Sequence, residues 1–308
     1  MTTDIVLDCD PGHDDAIAAL LALTAPELSV RAVTTVAGNQ TVAKTTQNAR
    51  QVLTLADRTD VPIARGMTEP MVRDPMFAED VHGESGLDGP ALPDPAVNTA
   101  DEDAVELIAR TAKEVGAITL VPTGPLTNVG MLLKRYPDIE QYINEIVLMG
   151  GAVGIGNYTP AAEFNILVDP EAADIVFTSD VPVTMVGLDV TRSARIRTDE
   201  FDRFRKLGTE VGETVAGWLD FFHRFHEDRF GWDGVPIHDA CAVAELIDES
   251  IVETEKMHVA VETSGNHTSG RTVCDRYGVL ESEPNTDVGV GIDRDAFVDL
   301  LVEAVARY

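Results

Sequence analysis

Apolar positions along the chain alternate between short continuous runs and helical spacing. Residues 5–7 (Ile-Val-Leu) read as a strand, and Pro11-Gly12 as a turn. The stretch AIAALLALTA at 16–25 has helical character, and Asp14 and Asp15 fall in its first turn, where the helix dipole favours anions. A second strand at 30–36 ends in Ala37-Gly38-Asn39, and a helix over about 41–56 follows. The same rhythm recurs: helix 103–115, strand 118–121, turn Thr123-Gly124-Pro125, helix 127–136, strand 145–149, Gly150-Gly151, helix 170–177 and strand 182–188. Strands that alternate with helices predict an α/β fold, an open and mostly parallel sheet covered by helices. Sites in such sheets lie beyond the carboxyl ends of the strands.

The remainder is less regular. Residues 66–99 read as a loop, and a loop that long inside a compact domain is functional or disordered. One long aromatic-rich helical stretch is predicted over 199–228, ending near Gly231-Trp232-Asp233-Gly234, so that 199–232 forms a cap-like segment. Then come helix 238–246, a late antiparallel pair at 256–262 and 271–275, and helix 295–306. With no repeat or linker in view, residues 1–308 are expected to form a single domain. No apolar run reaches the 18 or so residues of a membrane span.

Charge changes the picture. The formal net charge is -30, and of the basic residues only five are lysine (44, 113, 134, 206, 256). So negative a field repels phosphate, which argues against nucleic acid and anionic membranes as partners. Abundant carboxylates with few lysines fit a salt-loaded cell, because the Debye length shrinks to about 3 Å at 1 M salt. Cys9, Cys241 and Cys274 match no zinc spacing and read as buried, inert thiols. With no secretory pattern before Ile5, the expectation is a cytoplasmic protein.

The chemistry concentrates in Asp8-Cys9-Asp10-Pro11-Gly12-His13-Asp14-Asp15, which places four carboxylates within eight residues. Like charges so close repel unless a cation, protons or backbone N–H groups absorb them. Oxygen donors without soft ligands point to a hard cation such as Ca²⁺ or Mg²⁺; the alternative is a solvated acidic turn with capping aspartates. Asn39, the polar stretch with Asn157, Glu163 and Asn165, and His238-Asp239 carry the same signal more weakly, each open to a reading as cap, turn or surface residue. No G-x-S-x-G elbow is present.

These motifs resemble the inosine–uridine nucleoside hydrolase family. The resemblance rests on DCDPGHDDA (8–16), TVAGN (35–39), HGESGLDG (82–89), VPTGPLTN (121–128), VLMGG (147–151), AEFNILVDPEAA (162–173) and HD (238–239), in the family's order. It implies the nucleoside hydrolase fold and calcium-dependent hydrolysis of the N-glycosidic bond of inosine- or uridine-type ribonucleosides. The implied Ca²⁺ ligands are Asp10, Asp15, Asp239 and the backbone carbonyl of Thr127, with Asp8 supporting them from behind. Asp14, Asn39, Asn165 and Asp239 would hold the ribose 2′- and 3′-hydroxyls. Asn157 and Glu163 would reach toward the 5′-hydroxyl, and Met149 would line the ribose pocket.

By the same resemblance Asp10 deprotonates the attacking water, His238 protonates the leaving base, and His82 lies near the base. Histidines there favour the inosine–uridine class over purine-specific relatives, which use tryptophans. His13 stands where relatives are often apolar, and a structural role is expected. The 221–232 stretch offers His223, His226, Phe230 and Trp232 where relatives often place tyrosines, which leaves base preference open. Pyrimidine-only or nicotinamide riboside hydrolysis, or ribose binding without turnover, are the alternatives. Relatives imply a homodimer or homotetramer. If the charge reflects adaptation to salt, the melting temperature in about 2 M KCl exceeds that in about 0.1 M KCl; equal values would contradict it.

Overall fold

The computed structural model describes residues 2–308. In chain order the elements are β1 (Thr3–Cys9), α1 (His13–Thr24), β2 (Leu28–Thr35), α2 (Val42–Leu55), β3 (Ile63–Arg65), α3 (Glu79–His82), α4 (Ala104–Val115), β4 (Ile118–Pro122), α5 (Thr127–Arg135), β5 (Ile143–Met149), α6 (Phe164–Val168), α7 (Pro170–Phe177), β6 (Val183–Val186) and α8 (Leu188–Thr191). They continue with β7 (Arg195–Ile196), α9 (Phe201–Arg205), α10 (Glu210–Phe230), β8 (Val235–Pro236), α11 (Ala240–Ile247), β9 (Val252–Val261), β10 (Thr272–Asp275), β11 (Thr286–Ile292) and α12 (Arg294–Val305).

Nine strands form one sheet in the order β10-β9-β11-β6-β5-β4-β1-β2-β3. From β3 across to β11 every neighbouring pair is parallel, and β9 and β10 complete the sheet antiparallel. The fold class expected from the alternation therefore holds. Successive β1 residues serve opposite faces: Ile5, Leu7 and Cys9 join one buried cluster with α1, α10, α11 and α12, while Val6 joins another with α4, α5 and α7. The order 3-2-1-4-5-6 places a topological switch between β1 and β4, where the chain leaves neighbouring strands in opposite directions and opens a crevice.

Several elements depart from expectation. The single helix over 199–228 is a 3₁₀ turn (Thr198–Glu200), then α9, then α10. Gly208, in the left-handed region at φ 69°, stops α9, and the Thr209 side chain accepts the Gly212 N–H at 3.1 Å to start α10. Strand β11 was not anticipated, because Gly289 and Gly291 interrupt its alternation and accompany a register shift against β9. Short β3, α6 and α8 also escaped the pattern. The 66–99 segment is irregular apart from α3, and Arg73 ties it to Glu171 of α7 with two 2.8 Å contacts. The three cysteines are unpaired, as expected. No helix among the described residues is long and apolar enough to cross a membrane.

Away from the β1–β4 crevice, Glu245 on α11 is half-buried, and its carboxyl is pushed up to about 7 by burial and then by Glu145, Glu249 and Asp287. A raised carboxylate binds more protons folded than unfolded, so this group loses stability as pH rises from about 4.5 through about 7. One pKa unit is about 1.4 kcal/mol, and solvent screening reduces the whole shift to roughly 1 kcal/mol. Glu245→Gln should therefore be more stable than the parent at pH 8 by that amount, with the gap closing near pH 4 in urea titrations. A parent-like or weaker variant at pH 8 would contradict this.

Candidate active site

Asp8 ends β1 with its side chain on the α4–α5 face, accepting from Thr34 Oγ1 at 2.6 Å and Asn128 Nδ2 at 2.7 Å. Burial pushes its carboxyl up to about 6, and its Oδ2 has no partner. Two residues on, Asp10 leaves the strand at the switch point. Its Oδ2 accepts the Asn39 backbone N–H at 2.6 Å, while its buried Oδ1 has no partner. A Cβ on Gly38 would stand 2.1 Å from Oδ2, and one on Gly124 2.5 Å from Oδ1. Only glycine lets the loops after β2 and β4 close around this carboxylate.

Asp15, in the first turn of α1, accepts from Gly12 N at 3.0 Å, Thr123 Oγ1 at 2.8 Å, Asn39 Nδ2 at 3.2 Å and Asp10 N at 3.3 Å. Carboxylate oxygens of Asp14, Asp15 and Asp239 lie within 4.8 Å of one another, all three residues buried. Burial, reinforced by mutual repulsion, holds Asp10, Asp14, Asp15 and Asp239 above the usual carboxylate range. Among the described residues no lysine or arginine contributes to these shifts. Buried anions without a basic partner need protons or a cation. The orphaned Asp10 Oδ1 and the oxygen-only donor set fit a hard divalent cation. The alternative of a solvated acidic turn fails, since Asp10 and Asp15 are each 1% exposed.

The structure corrects one expected ligand. Thr127 opens α5, where its carbonyl points along the helix, and its Oγ1 donates to Asp169 Oδ2 at 2.8 Å, away from the cluster. Thr123, just past the end of β4, is the threonine against the cluster, through Asp15. Its place at a strand's carboxyl end was the signal available in the sequence.

The remaining residues divide by depth. Asn165 Nδ2 donates to the carbonyls of Thr123 (2.7 Å) and Met149 (3.1 Å), clamping the ends of β4 and β5. Met149 is buried beside it. Glu163 caps α6, accepting from Asn165 N (2.9 Å), Ile166 N (3.1 Å) and Gly151 N (3.0 Å). Burial raises its carboxyl despite these amides. Asn157 is exposed, its Oδ1 accepting the Phe164 N–H at 3.0 Å.

Histidines gather at the other side. His238 Nδ1 stands 2.7 Å from Thr191 Oγ1, and burial pushes its imidazole down to about 3. His82 is buried and held below the ordinary histidine range by burial, then by His13, His226 and His238. His226 stacks on Trp232 with ring centroids 5.7 Å apart and meets Phe222 edge-on. His13 is wholly buried and touches His82, as developed below. Thr191, Asn128 and Asp88 join the surroundings of the site without having stood out in the sequence.

A carboxylate cluster at the switch point of a parallel sheet, flanked by polar clamps and histidines, defines a hydrolase that works on a small polyhydroxylated substrate. The chain belongs to the family described as inosine-uridine preferring nucleoside hydrolase, whose model matches residues 5–299. It is thus an enzyme of the ribonucleoside hydrolase class, cleaving N-glycosidic bonds. It is 52% identical over 310 residues, spanning 100% of both chains, to the pyrimidine-specific ribonucleoside hydrolase RihA of Escherichia fergusonii. Among solved structures, a purine-preferring ribonucleoside hydrolase from Gardnerella vaginalis superimposes with TM-score 0.93 at 33% identity, over 99% of this chain and 98% of that one. A plant nucleoside hydrolase, PpNRh1, gives TM-score 0.92 at 29% identity over 100% of both chains.

Thr123→Val should weaken binding of Ca²⁺, measured calorimetrically, by about 10- to 100-fold, since it removes a group that orients Asp15. Thr127→Val should cost about 1 kcal/mol of stability with cation affinity unchanged. Equal effects of the two substitutions on affinity would contradict the reassignment.

Proposed function

We propose that this enzyme hydrolyses pyrimidine ribonucleosides, releasing ribose and free base with the help of Ca²⁺. The observation that carries this reading is the full-length likeness, at 52%, to pyrimidine-specific hydrolases, against 33% to the purine-preferring structure. The pyrimidine alternative therefore replaces the broader inosine–uridine reading. Asp10, Asp15, Asp239 and Thr123 would hold the cation, with Asp8 behind them. When bound, Ca²⁺ supplies positive charge that keeps the carboxylates ionised and eases loss of a proton from water.

The chain's own groups do the rest. Asp10, pinned at Oδ2 by Asn39, takes a water proton at its free Oδ1. The water oxygen bonds to C1′ as the C1′–N bond breaks, its electron pair leaving on the base nitrogen. Asp14, Asn39, Asn165 and Asp239 orient the ribose 2′- and 3′-hydroxyls, Glu163 and Asn157 the 5′ side, and Met149 lines the floor. Carboxylates around the sugar stabilise the positive charge that develops at C1′. Thr191 donating to His238 Nδ1 leaves the histidine proton on Nε2 for the departing base. Action as a single-domain chain, in a homodimer or homotetramer, in the cytoplasm of a salt-loaded cell, completes the proposal on the strength of resemblance and charge.

Ribose release from uridine, cytidine, inosine and adenosine, with Ca²⁺ and with chelator, tests it. The expected result is Ca²⁺-dependent turnover with kcat/KM for uridine or cytidine at least about tenfold above either purine nucleoside. Purine turnover at an equal or higher rate would overturn the pyrimidine reading. Binding of ribose without release from any nucleoside would overturn catalysis.

A further inference from the structure

His13 was expected to be structural, and it is indeed buried where α1 meets α10. Its contacts, however, run to a single partner of the site. His13 Nε2 lies 2.8 Å from the Asp88 carbonyl, which can only accept, so that nitrogen carries the proton. His13 Nδ1 lies 3.1 Å from His82 Nδ1, and the His13 backbone N–H also approaches His82 Nδ1, at 3.3 Å.

These three distances restrict the proton arrangement. If His82 Nδ1 had no proton, two lone pairs would face each other at 3.1 Å unless His13 carried a second proton. That second proton would place a full charge against His82, Phe221 and Phe222, whose rings lie 5.1–5.3 Å from that of His13. Desolvation opposes such a charge. The remaining arrangement puts a proton on His82 Nδ1, donated to His13 Nδ1, and makes the longer amide approach a contact without a hydrogen bond. Near-parallel stacking, at 17–20° between ring planes, holds His13 so that its polar edges meet these two partners.

We infer that His13 is a positioning residue: anchored through Nε2 on the Asp88 carbonyl, it fixes His82 in the Nδ1–H tautomer and leaves His82 Nε2 as the proton-accepting edge of that ring. A neutral histidine in this tautomer takes a hydrogen bond from an N–H of its ligand. Uracil N3–H and the cytosine amino group both supply one. This role rests on the reading that His82 lies at the base end of the site. It also explains why the 66–99 segment is anchored so firmly. Asp88 and His82 sit in the same loop, and His13 bridges them to the helix that carries Asp14 and Asp15.

The test combines a spectroscopic reading with kinetics. In the ¹⁵N-histidine-labelled, Ca²⁺-loaded protein, long-range ¹H–¹⁵N correlations should report His82 with Nδ1 protonated and Nε2 bare. A His82 signal with Nε2 protonated would overturn the inference, and it does so without any variant or turnover. His13→Leu, which removes the acceptor, should lower kcat for the best nucleoside by about 10- to 100-fold with little change in KM, and give a mixed His82 tautomer. His13→Asn, which places an amide oxygen near the position of Nδ1, should recover most of that loss. Unchanged kcat in His13→Leu, or an Asn variant as impaired as the Leu variant, would reduce His13 to packing. If His13→Leu does not fold, the parent tautomer and His13→Asn still decide. Should no pyrimidine nucleoside be hydrolysed while His82 holds Nδ1–H, the proposed function fails and this inference stands.

Discussion

A set of buried carboxylates with no basic partner is the constraint around which the rest of the molecule is arranged. Asp10, Asp14, Asp15 and Asp239 come from the end of β1, the start of α1 and the start of α11, and the fold forces them together at the switch between β1 and β4. Left as anions in a dry site they would repel one another strongly. Backbone and side-chain donors absorb part of that cost at Asp15 and at Asp10 Oδ2, yet Asp10 Oδ1 is left over. The same excess negative potential suits an enzyme whose substrate gains positive charge on its sugar as the bond breaks. A device that is costly for folding is thus useful for chemistry.

That constraint also explains the small residues around it. Gly38 and Gly124 have no Cβ because Asp10 occupies that space. Asn39 and Asn165 act as clamps across strand ends, Asn39 between β2 and the β1–α1 loop, Asn165 between β4 and β5. Each clamp fixes backbone and substrate-facing groups together. Geometry here is set by the sheet's register more than by loop sequence, as expected where strand ends carry the site.

Much of this was legible in the sequence. Strand and helix alternation reached the correct fold because β1, β4 and β5 are continuous apolar runs and the helices between them keep their spacing. The acidic run at residues 8–15 announced the cluster. What escaped has physical causes. Thr123 and Thr127 share one polar turn, and only the strand boundary at Pro122 separates the one that faces Asp15 from the one that opens α5. Strand β11 hid behind its glycines. The break before α10 was written in Gly208-Thr209 and outweighed by the aromatic periodicity on either side. The His13–His82 contact joins residues 69 positions apart, and no local pattern encodes it.

The central claim is that this carboxylate cluster is completed by a divalent cation, and thermal unfolding tests it most directly. A ligand at about 100 times its Kd that binds only the folded state adds about 2.7 kcal/mol. For a chain of this size that is a rise of roughly 5 °C in Tm on replacing chelator with saturating Ca²⁺. The account predicts that rise in the parent and its loss in Asp15→Asn. Superimposable melting curves of the parent in chelator and in Ca²⁺ would contradict it.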